Sequence, residues 1–155
     1  MEFYQNGGEM KPFKEYDPAL ACEIVRRFEG LRLNAYLCPA GVWTIGYGHT
    51  EGVKKGDSVT KDKAEGLLIA DLTNFAQEAS TLVKVPVSEG QYVALLDFVF
   101  NFGITKFRNS TLLKKLNFGD YAGAGEELLK WKYAGGKVLP GLEKRRKAEY
   151  ELFSE

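Results

Sequence analysis

Phe28-Glu29-Gly30-Leu31-Arg32-Leu33-Asn34-Ala35-Tyr36-Leu37-Cys38-Pro39-Ala40-Gly41-Val42-Trp43-Thr44-Ile45-Gly46-Tyr47-Gly48-His49-Thr50 is the stretch in which the apolar spacing of the chain changes. Upstream, Leu20, Ile24 and Phe28 recur every fourth residue with Ala21 and Val25 beside them, which is one apolar stripe of a helix. Asp17-Pro18 supplies that helix with an N-cap and a first-turn proline, and Gly30 ends it. From residue 31 the helical spacing is gone. Short β-type runs around Trp43, Ile45, Tyr47 and Val59 are separated by Cys38-Pro39-Ala40-Gly41 and by Glu51-Gly52-Val53-Lys54-Lys55-Gly56, both turn-forming. This pattern predicts a small β-meander over about residues 31–60.

Helical signals return at Thr60. It caps a long helix expected to run to about Val83, with Ala64, Leu67, Leu68, Leu72, Phe75, Ala79 and Leu82 on one side. Ser88-Glu89-Gly90-Gln91 forms a capping box ahead of Tyr92, Leu95, Leu96 and Val99. Asp97 is the one charge between Tyr92 and Phe102, so this segment is expected to be the buried central helix. Ser110 caps a short helix ending near Asn117, Asp120 opens another running to about Trp131, and Pro140-Gly141 opens the last. Residues 1–16 are polar, contain Gly7-Gly8 and show no periodicity; they read as a flexible arm. The outline is an α+β protein: an arm over 1–16 and one domain over 17–155, with a β lobe at about 31–60 and a helical lobe at about 84–155.

Composition narrows the function classes. In 155 residues Lys+Arg and Asp+Glu are each 21, apolar residues are 45% and charged residues 27%, the profile of a globular protein and not of a basic nucleic-acid binder. No run approaches the ~20 apolar residues of a membrane span, and the acid-rich first residues do not read as a signal peptide. Charge is nevertheless uneven. Residues 105–147 hold eleven bases against four acids, an excess that could attract an anionic polymer. Cys22 and Cys38 are expected to be free thiols, and with a single histidine they make no metal-ligand set; no cofactor is implied.

Glu29 stands at the C-terminal end of its helix. The negative end of the helix dipole and partial burial both favour the proton-bearing form of a carboxyl there, which suits a general acid. Cys38 and Thr44 flank the following turn and are expected to face each other across a hairpin, a thiol and a hydroxyl beside that carboxyl. Glu29 and Cys38 also have ordinary structural readings, a surface glutamate and a small buried hydrophobe. Asn101, near the end of the apolar helix, can be read as a helix C-cap or as a cleft donor. Tyr36, Trp43, Trp131 and Tyr133 are expected to pack between elements.

The same segment closely resembles the phage-type lysozymes, the endolysin family of the T-even and lambdoid phages. Glu29-Gly30, Ala35-Tyr36 and Gly41-Val42-Trp43-Thr44-Ile45-Gly46-Tyr47-Gly48-His49-Thr50 carry the resemblance. It continues through Phe100-Asn101-Phe102-Gly103, Ser110-Thr111-Leu112-Leu113 and Pro140-Gly141-Leu142 to Arg145-Arg146, covering about residues 19–153. The resemblance implies a two-lobed fold joined by the long helix. It implies hydrolysis of the β-1,4 bond between N-acetylmuramic acid and N-acetylglucosamine in peptidoglycan. Glu29 would protonate the leaving oxygen and Thr44 would hold the attacking water. The family's second carboxylate falls at position 38, which is Cys in this chain.

A thiol at position 38 could act as base, as nucleophile, or stay neutral while Glu29 and the held water carry the reaction. By the same resemblance His49 pairs with Asp71 as a structural ion pair, Asn101 meets a sugar N-acetyl group, and Arg145 or Arg146 lies beside Glu29. A monomer acting on peptidoglycan is expected, with no nucleic acid and no stable membrane insertion. The enzyme would wait in the host cytoplasm and reach the periplasmic wall with a partner such as a holin. Two rivals remain: a lytic transglycosylase using Glu29 alone, and a non-catalytic wall-binding relative.

Overall fold

The computed structural model describes residues 3–5 and 8–155. Short strands β1 (Phe3–Gln5) and β2 (Gly8–Met10) pair antiparallel. The Asp17 side chain accepts a hydrogen bond from the Ala19 amide and starts a 3-10 turn over Pro18–Ala21, which runs into α1 (Cys22–Glu29). Then come β3 (Arg32–Leu37), β4 (Trp43–Gly46) and the long α2 (Lys61–Ser80). The rest is α3 (Glu89–Phe102), α4 (Ile104–Arg108), α5 (Thr111–Asn117), α6 (Tyr121–Leu128), a two-residue hairpin β5–β6 (Tyr133–Ala134, Lys137–Val138) and α7 (Pro140–Ser154). This is the α+β arrangement read from the sequence.

Helix α3 is the axis of the larger lobe. The capping box is formed as expected, with Ser88 accepting from the Gln91 amide and the Gln91 side chain accepting from Ser88. Behind it Tyr92, Leu95, Leu96, Phe98 and Val99 are all buried, packed mainly by α7 and α2. Each such apolar side chain contributes roughly 1.5–3 kcal/mol of transfer free energy. Thr60, Ser110 and Asp120 cap α2, α5 and α6 through their own side chains.

Four local expectations are corrected. Residues 9–16 are not a free arm: Phe13 is 3% exposed, Tyr16 stacks on Tyr92 at 5.0 Å, and Tyr16 donates its hydroxyl to the Val87 carbonyl. Lys11 and Val87 exchange backbone hydrogen bonds at 2.9 and 2.8 Å. Two aromatics anchor a segment too short to show any period; residues 1, 2, 6 and 7 lie outside the described residues. The β lobe is a two-stranded ladder and not a full meander. Turn hydrogen bonds occupy residues 50–57, so the third run reaches β3 only through the single Asn34–Ser58 bridge and its flanking bonds. Helix α2 stops at Ser80, where the Ser80 and Thr81 hydroxyls donate to the carbonyls of Gln77 and Glu78. Helix α6 ends at Leu128, well before Trp131.

Candidate active site

Glu29 is the last residue of α1. Gly30 ends the helix at φ +71°, a conformation that suits glycine, and its amide bonds back to the Arg26 carbonyl. The chain then turns into β3, so the Glu29 carboxyl is left at the joint between helix and sheet, 21% exposed. It opens on a cleft of about 560 Å³ lined also by Cys38, Thr44 and Gly48 of the hairpin region, Asp71 and Phe75 of α2, and Phe100 and Asn101 at the end of α3. The hairpin, the long helix and the central helix thus each give one wall.

Gly48 lies against the carboxyl on the hairpin side. Its φ is +83°, and a Cβ there would stand 2.9 Å from Glu29 Oε1 and 3.4 Å from the Phe100 ring. Close approach and backbone conformation both require glycine at this point.

On the other side, Arg145 Nη1 donates to Glu29 Oε2 at 2.6 Å. Its Nε and Nη2 donate to the two oxygens of Asp97 at 2.9 and 2.7 Å. Arg146 turns away and makes a bidentate pair with Glu149. The arginine beside Glu29 is therefore Arg145, and the alternative Arg146 is corrected: Arg146 and Arg145 are consecutive on α7 and take different buried acids. Asp97 reserves two of the three Arg145 bonds, so Glu29 holds the guanidinium by one.

Strands β3 and β4 pair Tyr36 with Thr44 and Leu37 with Trp43, which leaves Cys38 at the turn with its amide donating to the Val42 carbonyl. Thr44 is buried, and its hydroxyl donates to the Val42 carbonyl at 3.0 Å. That hydroxyl is also within hydrogen-bonding reach of the Cys38 sulfur. The one Thr44 proton serves either the Val42 carbonyl or the Cys38 sulfur, and in both cases the oxygen keeps a lone pair for a water. Hydrogen bonding by the Val42 backbone, with help from Ala40 and Thr44 and against some burial, lowers the Cys38 pKa below its ordinary value. Cys22, by contrast, is buried, and burial pushes its thiol up.

His49 Nδ1 is 2.8 Å from Asp71 Oδ2, and Nε2 is 2.9 Å from the Glu51 carbonyl. Both polar ends of the ring are taken by protein, which is the geometry of a strut from the hairpin to α2. Burial raises the Asp71 carboxyl above its ordinary pKa, with the His49 bond opposing. Asn101 does not cap α3; Gly103 does, at φ +89°. The Asn101 side-chain oxygen is buried without a hydrogen-bond partner among the described residues.

Sequence reading missed three contributors. Asp97 was visible only as a lone charge in an apolar helix, and that isolation was the available signal. Tyr36 lines the cleft, with Arg32 4.7 Å over its ring. Phe100 closes the cleft beside Glu29, and nothing in a string of aromatics marks the one that does so. Trp131 packs edge-on against Phe98 at 5.1 Å as expected, but Tyr133 is exposed on the β5–β6 hairpin and does not pack between elements.

Comparison with known proteins agrees with this geometry. Residues 26–149 match the Phage lysozyme family. An endolysin of Acyrthosiphon pisum secondary endosymbiont phage 1 is 51% identical over 134 residues, covering 84% of this chain and 92% of that protein. An endolysin of Bacillus phage B103 is 41% identical over 133 residues; the alignment takes in 84% of this chain but spans about half (51%) of that longer protein. The solved muramidase domain of SpmX from Asticaccaulis excentricus superposes with a TM-score of 0.81 at 37% identity, over 87% of this chain and 95% of that one.

Proposed function

Because this chain belongs to the phage lysozyme family and is a peptidoglycan-lysing glycoside hydrolase of the endolysin type, we propose that it cuts the β-1,4 bond between N-acetylmuramic acid and N-acetylglucosamine with Glu29 as the general acid. The observation that carries this reading is one cleft containing Glu29, Cys38 and Thr44 together, with Arg145 behind the carboxyl.

The chemistry follows from the groups present. The glycan lies along the cleft with the scissile oxygen over the Glu29 carboxyl. Glu29 gives its proton to that oxygen as the bond breaks, and positive charge develops on the sugar ring. Water attacks the ring carbon and loses a proton. Thr44 holds this water through an oxygen lone pair, and Cys38 takes its proton as the thiolate. The lowered Cys38 pKa raises the share of thiolate available to take that proton. Arg145 orients Glu29 through one bond while its other two go to Asp97. Asn101 accepts a hydrogen bond from a sugar N-acetyl N–H, as its unpartnered atom is the oxygen, where a donor was expected from sequence. His49 with Asp71 fixes the hairpin to α2 and takes no part in proton transfer.

One observation favours a second reading. No carboxylate occupies position 38, and a lytic transglycosylase works with a single acid. The Thr44–Cys38 water site favours hydrolysis. Turbidity clearing of chloroform-treated Gram-negative cells by wild type and Glu29→Gln tests the acid. Clearing by wild type with loss of about a hundredfold or more in the variant supports it, and equal clearing overturns it. The enzyme acts as a monomer and reaches the wall with a holin. No helix among the described residues is long and apolar enough to cross a membrane.

A further inference from the structure

Arg145 holds the Glu29 carboxyl from behind, and the turn that carries Gly48 lies against it on the hairpin side. That turn is closed by Ile45 and His49, which exchange backbone hydrogen bonds at 2.8 and 2.9 Å. Its tip is Gly46-Tyr47-Gly48, with both glycines at positive φ, +66° and +83°. Glycine is the residue freest in backbone conformation, so a tip with one on each side of Tyr47 keeps its place only where side chains tie it down. His49, bonded to Asp71, is one such tie. Tyr47 is the other.

Tyr47 is buried, and its hydroxyl donates to Glu65 Oε1 on α2 at 3.0 Å. Glu65 is gripped at the same time from α1. Arg26 Nη2 donates to Oε2 at 2.7 Å, and Arg26 Nε lies 3.2 and 3.0 Å from Oε1 and Oε2. Arg26 stands three residues before Glu29 on α1, one turn back on the same side, and its carbonyl accepts the Gly30 amide that ends the helix. A Cβ on Gly46 would come 3.3 Å from the Ala64 Cβ, so the turn also sits directly on the residue before Glu65. Glu65 therefore grips both parts whose separation matters: the helix end that bears Glu29 and the turn that bears Gly48.

We propose that Glu65, bonded to Tyr47 and Arg26, is a positioning residue that sets the spacing between the Gly48 backbone and the Glu29 carboxyl. Its part in catalysis rests on Glu29 being the acid. The contacts form a closed ring: Glu65 to Tyr47, along the chain to Gly48, across to Glu29, back along α1 to Arg26, and so to Glu65 again. Opening the ring at Tyr47 or at Glu65 lets the glycine-flanked tip draw away from the carboxyl, and the acid then loses the wall that holds it against the cleft. Two observations separate this from simple bracing. The Arg26 and Glu65 side chains are 41% and 27% exposed, and an ion pair so open to water contributes little to stability. Arg26, Tyr47 and Glu65 are absent from the cleft lining, so they make no subsite for the glycan.

Hydrogen exchange reads the position of the turn without reference to activity. Tyr47→Phe keeps the buried ring and deletes only the hydroxyl, and Glu65→Ala opens the same ring from its more exposed side. In both, the His49 amide, which is bonded to the Ile45 carbonyl, should exchange at least about threefold faster, with the amides of α3 unchanged. An unchanged His49 rate in both variants overturns the proposal. Glu65→Ala keeps the test decisive if Tyr47→Phe fails to fold.

Kinetics on soluble glycan fragments of peptidoglycan supply the second readout. In Tyr47→Phe and in Glu65→Ala, kcat should fall about tenfold while KM stays within about twofold and the melting temperature moves by only a few degrees. Glu65→Gln keeps the oxygen that Tyr47 reaches and should recover kcat to within about threefold of wild type. Wild-type kcat in the first two variants, a Gln variant as slow as the Ala variant, or a kcat loss matched by loss of folded protein overturns the proposal. Tyr47→Phe added to Gly48→Ala should cost little more than Gly48→Ala alone, because both disturb one spacing. A double variant about a hundredfold down, the product of two tenfold singles, shows independent effects and also overturns it. Failure of Glu29 as the acid is seen separately, as full activity in Glu29→Gln.

Discussion

Arg145 and Glu29, 116 positions apart in sequence, meet at 2.6 Å through one guanidinium N–H. The same guanidinium is held more firmly by Asp97, through two bonds, in the core. The last helix is thereby fastened to the end of the first, and the candidate acid is oriented from behind.

Removing Arg145 leaves Asp97 buried without its counter-charge. Arg145→Ala is expected to destabilise the fold by about 3–5 kcal/mol, the usual effect of breaking a buried pair from one side. Urea denaturation at neutral pH measures it. A loss under about 1 kcal/mol shows that the network contributes nothing net.

Gly48→Ala puts a methyl group 2.9 Å from Glu29 Oε1, too close for both to stay, in a backbone region that costs an L-residue roughly 1–2 kcal/mol. Activity should fall by at least about tenfold, because displacing an acid by even 1 Å spoils proton transfer. A modest drop in melting temperature with full activity shows that the Glu29 position is not critical.

The two cysteines should differ in reactivity. The Cys38 thiol is lowered by backbone hydrogen bonding and lies in the cleft, whereas Cys22 is buried and raised. Alkylation should therefore reach Cys38 first, with a midpoint below the free-thiol value of about 8.5. In activity, Cys38→Ser should lose at least about tenfold while Cys38→Asp stays active and loses the alkaline dependence that comes from forming thiolate. Full activity in Cys38→Ser removes the thiol from the mechanism.

Glu127 gives a stability signature on the acid side. Its bond from Lys130, with Lys115 adding, outweighs burial and holds its carboxyl below the ordinary value. A depressed folded-state value means that this stabilisation is fully present above the unfolded pKa of about 4.3 and is lost as pH falls through the folded value. Glu127→Gln should thus be less stable than wild type at neutral pH, with the gap closing in acid. Melting curves across that range measure it, and a gap independent of pH rejects the ion-pair explanation.

Elements that announce themselves by local chemistry were readable in the sequence: Thr60, Ser88, Ser110 and Asp120 each cap the helix they were expected to cap, and Asp17 caps the 3-10 turn that runs into α1. So was the association of Glu29, Cys38, Thr44 and Asn101, through motif resemblance and not through spacing. The packing of Phe13 and Tyr16 on Tyr92 was not, because it joins segments about 75 residues apart and leaves no periodic trace. The choice of Arg145 over Arg146 was equally hidden. Neighbouring residues on a helix point about 100° apart, and only the positions of Asp97 and Glu149 decide which guanidinium turns toward the cleft.

If Glu29 protonates a sugar–sugar oxygen and water completes the cut, an oxygen from water ends up on each new reducing end. Digestion of purified peptidoglycan in heavy-oxygen water, followed by mass spectrometry, tests both halves at once. Wild type should yield reducing N-acetylmuramic acid ends carrying the heavy oxygen, and Glu29→Gln should yield almost none. Ends in the 1,6-anhydro form, or undiminished product from Glu29→Gln, would contradict it.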